Sequence, residues 1–304
     1  MKKAIVLHNP GAGDEDHFRS ELVRKIEGEG YKCQYFSLDD SDEWKDHLND
    51  ADFAVVVGGD GTVRNVVKEL VQRDQLEKKL PLTVLPMGTA NNLSLALNID
   101  RELEIDEHIK LWKDSKLQKF DLGILDQGGD LDFFLEGAGF GLFPSLMQHM
   151  KDLSDKLEDS SVEEKLLRAR KELHKLVQSA EAQDYWLKTD TETVKGKFIL
   201  LEAMNIQSIG PNLVLCPDVV TDDGYLDVIC VEDNQREELA AHVQSLIAGK
   251  PDEMAWKRYR TKKAIIECKS KIMHVDDELI KPTKYPIVFE ARENILEFMV
   301  PWIH

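Results

Sequence analysis

The stretch Val55-Val56-Val57-Gly58-Gly59-Asp60-Gly61-Thr62 constrains the fold more than any other part of this chain. A short, wholly apolar run suits a strand buried on both faces, and such strands belong to parallel sheets covered by helices. The glycines after it free the backbone for a sharp turn, and Thr62 suits a helix start. The same pattern recurs around it. Residues 3–8 read as a buried strand entering the loop Asn9-Pro10-Gly11-Ala12-Gly13. Residues 16–30 read as an amphipathic helix with Phe18, Leu22, Val23 and Ile26 on one face and Gly30 at its end. Strands are expected at 32–38, 54–57 and 82–85, and helices at 62–72 and 90–97. This alternation predicts a Rossmann-like parallel α/β domain. Ligands of such sheets sit at the carboxyl ends of the strands, so the loops at 9–13, 58–62 and 87–91 should line one edge.

From about residue 120 the pattern changes. Strand signals at 120–125, 131–137, 196–205, 225–231, 263–267, 272–274 and 286–290 are separated by glycine, proline and aspartate. They predict a second, β-rich, sandwich-like domain. A long helical stretch at 142–183 interrupts it; Leu166, Leu167, Leu173, Leu176 and Val177 give that stretch an apolar face. It reads as a helix capping its own domain, with a partner-binding or membrane helix as the alternative. Residues 232–250 form another helix. The apolar segment 293–302 is expected to return to the first domain. The expected division is therefore 1–120 with 291–304 for the first domain and 121–290 for the second.

The hydrophobic fraction is 42%, and no apolar run reaches the length of a membrane span. The apolar stretch from Ala4 to Leu7 is too short for a signal peptide, so a cytoplasmic protein is expected. Cys33, Cys216, Cys230 and Cys268 form no Cys-x-x-Cys pair and read as buried reduced thiols. A net charge of −18 argues against nucleic-acid binding. Against that background, Lys257, Arg258, Arg260, Lys262, Lys263, Lys269 and Lys271 gather beside a single acid, Glu267. This cluster suits phosphate or a membrane surface, or else a solvated strand face.

Backbone N–H groups at Gly58, Gly59 and the start of the following helix can cradle phosphate oxygens. Asp60 would face a polyphosphate poorly without a cation between them, which makes it a natural Mg2+ ligand, direct or through water. Thr62 can cap the helix or bond a phosphate oxygen. In Pro86-Met87-Gly88-Thr89-Ala90-Asn91-Asn92, Thr89 and Asn91 present polar groups that fit phosphate binding or an ordinary helix cap. The turn is neither a Walker A loop nor a protein-kinase glycine loop.

Taken together, these loops resemble the soluble diacylglycerol kinase and sphingosine kinase family, whose catalytic domain bacterial lipid kinases share. Asn9 to Gly13 match its Asn-Pro-x-[Ser/Ala]-Gly, Gly58 to Thr62 its Gly-Gly-Asp-Gly-Thr, and Pro86 to Asn91 its Pro-x-Gly-Thr-x-Asn. Asp223-Gly224-Tyr225-Leu226-Asp227 matches Asp-Gly-x-Leu-Asp, and Asp276-Asp277-Glu278 matches Asp-Gly-Glu in part. The resemblance implies an ATP-dependent lipid kinase with its active site in the cleft between the domains. ATP would contact Asn9, Pro10, Gly11, Ala12, Gly13, Gly58, Gly59, Asp60, Gly61, Thr62, Val63, Arg64 and Thr89. Glu278 would be the general base, with Asp276 beside it. A structural Mg2+ would be held by Asp223 with the carbonyls of Val220 and Tyr225. The lipid would be met by transient contact at a membrane surface, so the protein would be peripheral there. Phe133, Phe134, Phe140, Leu142, Phe143, Leu146 and Met147 are candidates for an apolar acceptor groove, or ordinary core. The resemblance allows a homodimer without deciding it.

Three departures from the pattern stand out. Asn92 stands where the family often has aspartate. Asp277 replaces the glycine of Asp-Gly-Glu and would sit awkwardly at a positive φ. A family threonine near the nucleotide has Ser37 as its nearest counterpart. Other readings of the glycine turn are an NAD kinase-like or sugar-phosphate small-molecule kinase. A catalytically weak nucleotide or lipid sensor is a further alternative, kept open by Asn92 and Asp277.

Overall fold

Ala4, Ile5, Val6 and Leu7 are wholly shielded from solvent, and they form the heart of the central strand β1 (Lys3–His8). The computed structural model describes residues 1–10, 15–72, 79–153, 160–250 and 256–302. The chain divides into two units, Met1–Phe120 with Asn294–His304, and Asp121–Glu293.

In the first unit, β1 is followed by α1 (Glu15–Gly28) and β2 (Lys32–Ser37). Then come β3 (Phe53–Gly58), α2 (Asp60–Val71) and β4 (Leu82–Pro86), followed by the short helices α3 (Asn92–Ala96) and α4 (Ile105–Leu111). β1 pairs in parallel with β2 on one side and β3 on the other, and β3 pairs in parallel with β4. Leu22 and Ile26 of α1 pack with Val55, Val57, Ile109 and Trp112. α2 buries Val63, Val66 and Val67. The expected Rossmann-like alternation is present, with α3 shorter than the 90–97 helix read from the sequence.

The second unit is antiparallel. Its strands and helices are β5 (Ser115–Asp126, which begins in the first unit), β6 (Leu131–Phe134), β7 (Gly137–Gly141), α5 (Leu142–Asp152) and α6 (Val162–Ser179). There follow β8 (Gln183–Lys188), β9 (Thr193–Met204), the small pair β10 (Ser208–Ile209) and β11 (Leu213–Val214), and β12 (Leu226–Glu232). The last elements are α7 (Arg236–Ile247), β13 (Lys257–Thr261), β14 (Lys263–Cys268), β15 (Met273–Val275), β16 (Glu278–Ile280) and β17 (Ile287–Pro301). The long strand β9 pairs with β7, β8 and β12. Its side chains divide between two cores. Phe198, Leu201 and Ala203 join one; Ile199, Leu200 and Met204 join the other, with residues from α5, α6 and α7. β17 belongs to both units. Ile287 to Glu290 pair with β14, and Phe298 lies beside Leu82 of β4 in the first unit's parallel sheet.

One expectation is corrected here, and several open alternatives are decided. The 142–183 stretch is not one helix: α6 starts at its own cap, where Ser161 Oγ accepts from the Glu164 N–H at 3.2 Å and Glu164 accepts from the Ser161 N–H at 2.9 Å. Gln183 already begins β8. The apolar face of α6 is spent on its own domain, with Leu173 and Val177 against Leu239 and Val243 of α7. Of the groove candidates, Phe133, Phe134, Phe140, Leu142, Phe143 and Leu146 are buried core, the alternative reading, while Met147 is half-buried. The basic cluster is largely neutralised. Arg258 pairs with Asp218 and Asp227, Arg260 with Asp223, Lys262 with Glu293 and Lys263 with Glu290. All four cysteines are free thiols, Cys216 and Cys230 buried, Cys33 and Cys268 half-buried.

Candidate active site

Three strands of the first unit end in the predicted loops, and side chains tie those loops together. At the end of β1, the Asn9 N–H donates to the Val57 carbonyl at 3.0 Å, and Asn9 Nδ2 donates to Thr62 Oγ1 at 3.2 Å. Gly58 must lack a side chain, because a Cβ there would stand 2.4 Å from Thr62 Oγ1. Gly59 and Gly88 meet backbone to backbone: a Cβ on Gly88 would lie 2.4 Å from the Cα of Gly59 and 2.7 Å from Asn91 Oδ1. Asn91 shapes the second loop by accepting from the Gly88 N–H at 2.9 Å and donating to the Gly88 carbonyl at 2.8 Å. It does so at φ 50, a conformation asparagine tolerates. α2 begins at Asp60, the N–H groups of Thr62 and Val63 turn back to the Gly59 carbonyl at 3.0 and 3.2 Å, and the helix start carries the positive end of the helix dipole. Val63 and Arg64 are buried in α2, and Thr89 is exposed. Gly11, Ala12 and Gly13 lie outside the described residues.

Asp60 has a different occupation from the one expected. Its two carboxylate oxygens accept the N–H groups of Asn92 at 2.9 Å and Leu93 at 3.1 Å. It therefore caps α3 across the loop junction. Asp60→Ala should lower stability by about 1–2 kcal/mol, measured by urea denaturation without nucleotide or divalent ions. A residue serving only a metal would leave that value unchanged. One contributor, Arg101, escaped the sequence reading, while Ser37 was named there as the counterpart of a family threonine. Arg101 Nη1 donates to the Ala90 carbonyl at 2.7 Å, latching the second loop from outside. Ser37 is buried beside His8 at the end of β2, and its Oγ has no partner among the described residues.

In the second unit, Asp276 and Asp277 form the turn between β15 and β16, with Val275 paired to Glu278. The positive φ falls on Asp276, at 50°, and not on Asp277, so the glycine missing at 277 costs the turn nothing in backbone strain. The Asp276 carboxylate receives the N–H groups of Leu135 at 2.9 Å, Glu136 at 2.8 Å and Gly137 at 3.2 Å. Those bonds fall in the break between β6 and β7, and they fix the turn. Glu278 is exposed at the start of β16.

The loop expected to hold a structural Mg2+ does not suit one. Asp223 Oδ1 accepts from the Tyr225 N–H at 3.0 Å, and Oδ2 lies 2.6 Å from Arg260 Nη2. The Arg260 guanidinium also stacks 4.1 Å above the Tyr225 ring, while Val220 is 49% exposed. A divalent cation on this carboxylate would have to displace the Arg260 guanidinium from hydrogen-bond distance. Among the described residues, no group of three or more His, Cys, Asp or Glu is arranged to hold a metal ion.

The diacylglycerol kinase catalytic domain model matches residues 3–125, and the YegS C-terminal NAD kinase beta sandwich-like domain model matches residues 159–300. The chain thus carries a diacylglycerol kinase-type catalytic domain followed by a YegS-type C-terminal domain. A diacylglycerol kinase of Staphylococcus aureus (strain bovine RF122) is 28% identical over 254 residues, which span 81% of this chain and 75% of that protein. The Bacillus subtilis diacylglycerol kinase is 25% identical over 239 residues, 76% of this chain and 74% of that one. A crystal structure of a diacylglycerol kinase from Bacillus anthracis shares the fold, with a TM-score of 0.72 and 20% identity over 98% of this chain and 97% of that one. Among the described residues, no helix is long and apolar enough to cross a membrane.

Proposed function

We propose that this chain transfers the γ-phosphoryl group of ATP to a primary hydroxyl of a lipid such as diacylglycerol. The observation that carries the reading is the interlocked pair of loops at Gly58–Thr62 and Pro86–Asn91. There, backbone meets backbone at Gly59 and Gly88, and a helix start opens on the carboxyl edge of the sheet. Such an edge favours the phosphates of a nucleotide. Glu278 supplies the base: as the lipid oxygen bonds to the γ-phosphorus and the bond to the β-phosphate bridging oxygen breaks, the hydroxyl proton passes to its carboxylate and ADP departs. Phosphoryl transfer asks mainly for positioning and charge compensation, and the loop backbone together with the dipole of α2 supplies both on the nucleotide side. The acceptor is presented by a membrane surface that the protein meets transiently.

Incubation with labelled ATP, a panel of lipids in mixed micelles and, separately, NAD, followed by mass spectrometry, tests this reading. Label in a lipid phosphate is expected. Label in NAD alone would replace the lipid by a dinucleotide, and nucleotide binding without transfer to any acceptor would make the chain a sensor.

A further inference from the structure

β15 and β9 carry between them a buried titratable pair that the proposed reaction does not use. The side chains of His274 and Glu202 are 1% and 0% exposed. Glu202 sits in β9 opposite Gly139 of β7, and His274 of β15 lies opposite the same glycine from the other side. A Cβ at Gly139 would stand 2.2 Å from Glu202 Oε2 and 2.3 Å from the Leu201 carbonyl oxygen. Glycine there is what leaves space for the carboxylate. His274 Nε2 meets the Glu202 carboxyl at 2.9 Å, and Nδ1 lies 3.0 Å from the carbonyl oxygen of Asp276. A carbonyl can only accept, so Nδ1 carries a proton. Nε2 then either donates to a carboxylate or accepts from a carboxylic acid, and the pair is neutral overall in both states. Burial pushes Glu202 up against the pull of His274. Burial draws His274 down, but the Glu202 carboxylate more than offsets this and holds it above its usual value.

A stability role does not account for this arrangement, because apolar residues of similar volume generally serve a core as well as a buried ion pair. What the pair does hold is the carbonyl of Asp276, the residue at φ 50 two positions before Glu278. The Asp276 side chain is gripped separately by the N–H groups of Leu135, Glu136 and Gly137. The turn is thus fastened by its carboxylate on one side and by its main chain on the other. We propose that Glu202 and His274 are positioning residues, which fix the Asp276-Asp277 turn through its carbonyl and so aim Glu278 at the acceptor hydroxyl. This rests on the reading of Glu278 as the base.

The test compares two variants with the intact enzyme, using diacylglycerol in mixed micelles and ATP. His274→Phe keeps an aromatic ring and removes both hydrogen bonds; kcat should fall roughly 10- to 100-fold, with KM for ATP unchanged. Glu202→Gln keeps a partner for Nε2 in either state and should retain a kcat close to that of the parent. A merely structural role would show instead as parallel losses of melting temperature in both variants, without a selective loss of kcat. A parental kcat in His274→Phe, with Glu278→Gln inactive, overturns the inference while leaving the base in place. Full activity in Glu278→Gln overturns the base and the inference with it, and is seen without touching either positioning residue. Should His274→Phe not fold, the imidazole 15N shifts of the parent protein decide: a protonated Nδ1 is expected, and an unprotonated one overturns the grip on the Asp276 carbonyl.

Discussion

Replacing Glu278 by glutamine is expected to slow phosphorylation of the lipid by about 10²- to 10⁴-fold, the usual contribution of a positioned general base, while leaving the affinity for ATP unchanged. The substitution keeps shape and hydrogen-bonding capacity and removes only the capacity to take a proton. Glu278 is exposed at the start of β16 and its main chain is held by pairing to Val275, so the fold should not register the change. Single-turnover transfer from labelled ATP to diacylglycerol reads the chemical step, and nucleotide titration reads binding. A variant that transfers phosphate at the parental rate would remove Glu278 from the reaction.

Gly88→Ala should be nearly as damaging, at the other end of the reaction. The added methyl would meet the Cα of Gly59 at 2.4 Å and Asn91 Oδ1 at 2.7 Å. Neither can step aside cheaply: one is backbone, and the other is bonded to the Gly88 N–H itself. The loops must part by about an ångström, a displacement that commonly costs on the order of 10²-fold in rate. The loss should appear as weaker ATP binding together with a reduced kcat. Gly28→Ala is the control. A Cβ there meets nothing within 4 Å, and activity should stay at the parental level. Equal behaviour of the two variants would show that the Gly59–Gly88 contact has no part in nucleotide binding.

The first unit was readable because its strands are buried on both faces and its helices are amphipathic. Lys3–His8 appears as expected, and Phe53–Gly58 lies within a residue or so of its expected bounds. The second unit was less so. The strand Gln183–Lys188 has no signal of its own in the sequence: the helical stretch read at 142–183 runs into its first residue, and its strand character comes from pairing with β9 and β14. The basic residues of Lys257–Thr261 lie on the strand face that was one of the two readings of the cluster, and what the sequence does not reveal is that Asp218, Asp223 and Asp227 are brought beside them. Sequence motifs located Asp60 and Asp223 but could not say what occupies their oxygens. That depends on Asn92 and Leu93 for one and Arg260 for the other, contacts that only the fold creates. The pair Glu202 and His274 carries no local signal at all, because the residues are 72 positions apart.

The last long strand has a bearing on how the protein is made. Residues 294–301 supply a strand to the unit that holds the nucleotide loops, with Phe298 beside Leu82, yet they are translated only after the whole of Asp121–Glu293. A nascent chain therefore emerges with a parallel sheet lacking the strand that lies beside β4, and that side of β4 stays open while the second unit is synthesised and folds. Open edges of this kind invite pairing with other chains. Completion of the first unit thus waits until residues 294–301 have been made, and a chain cut short before residue 294 would lose that strand from its first unit.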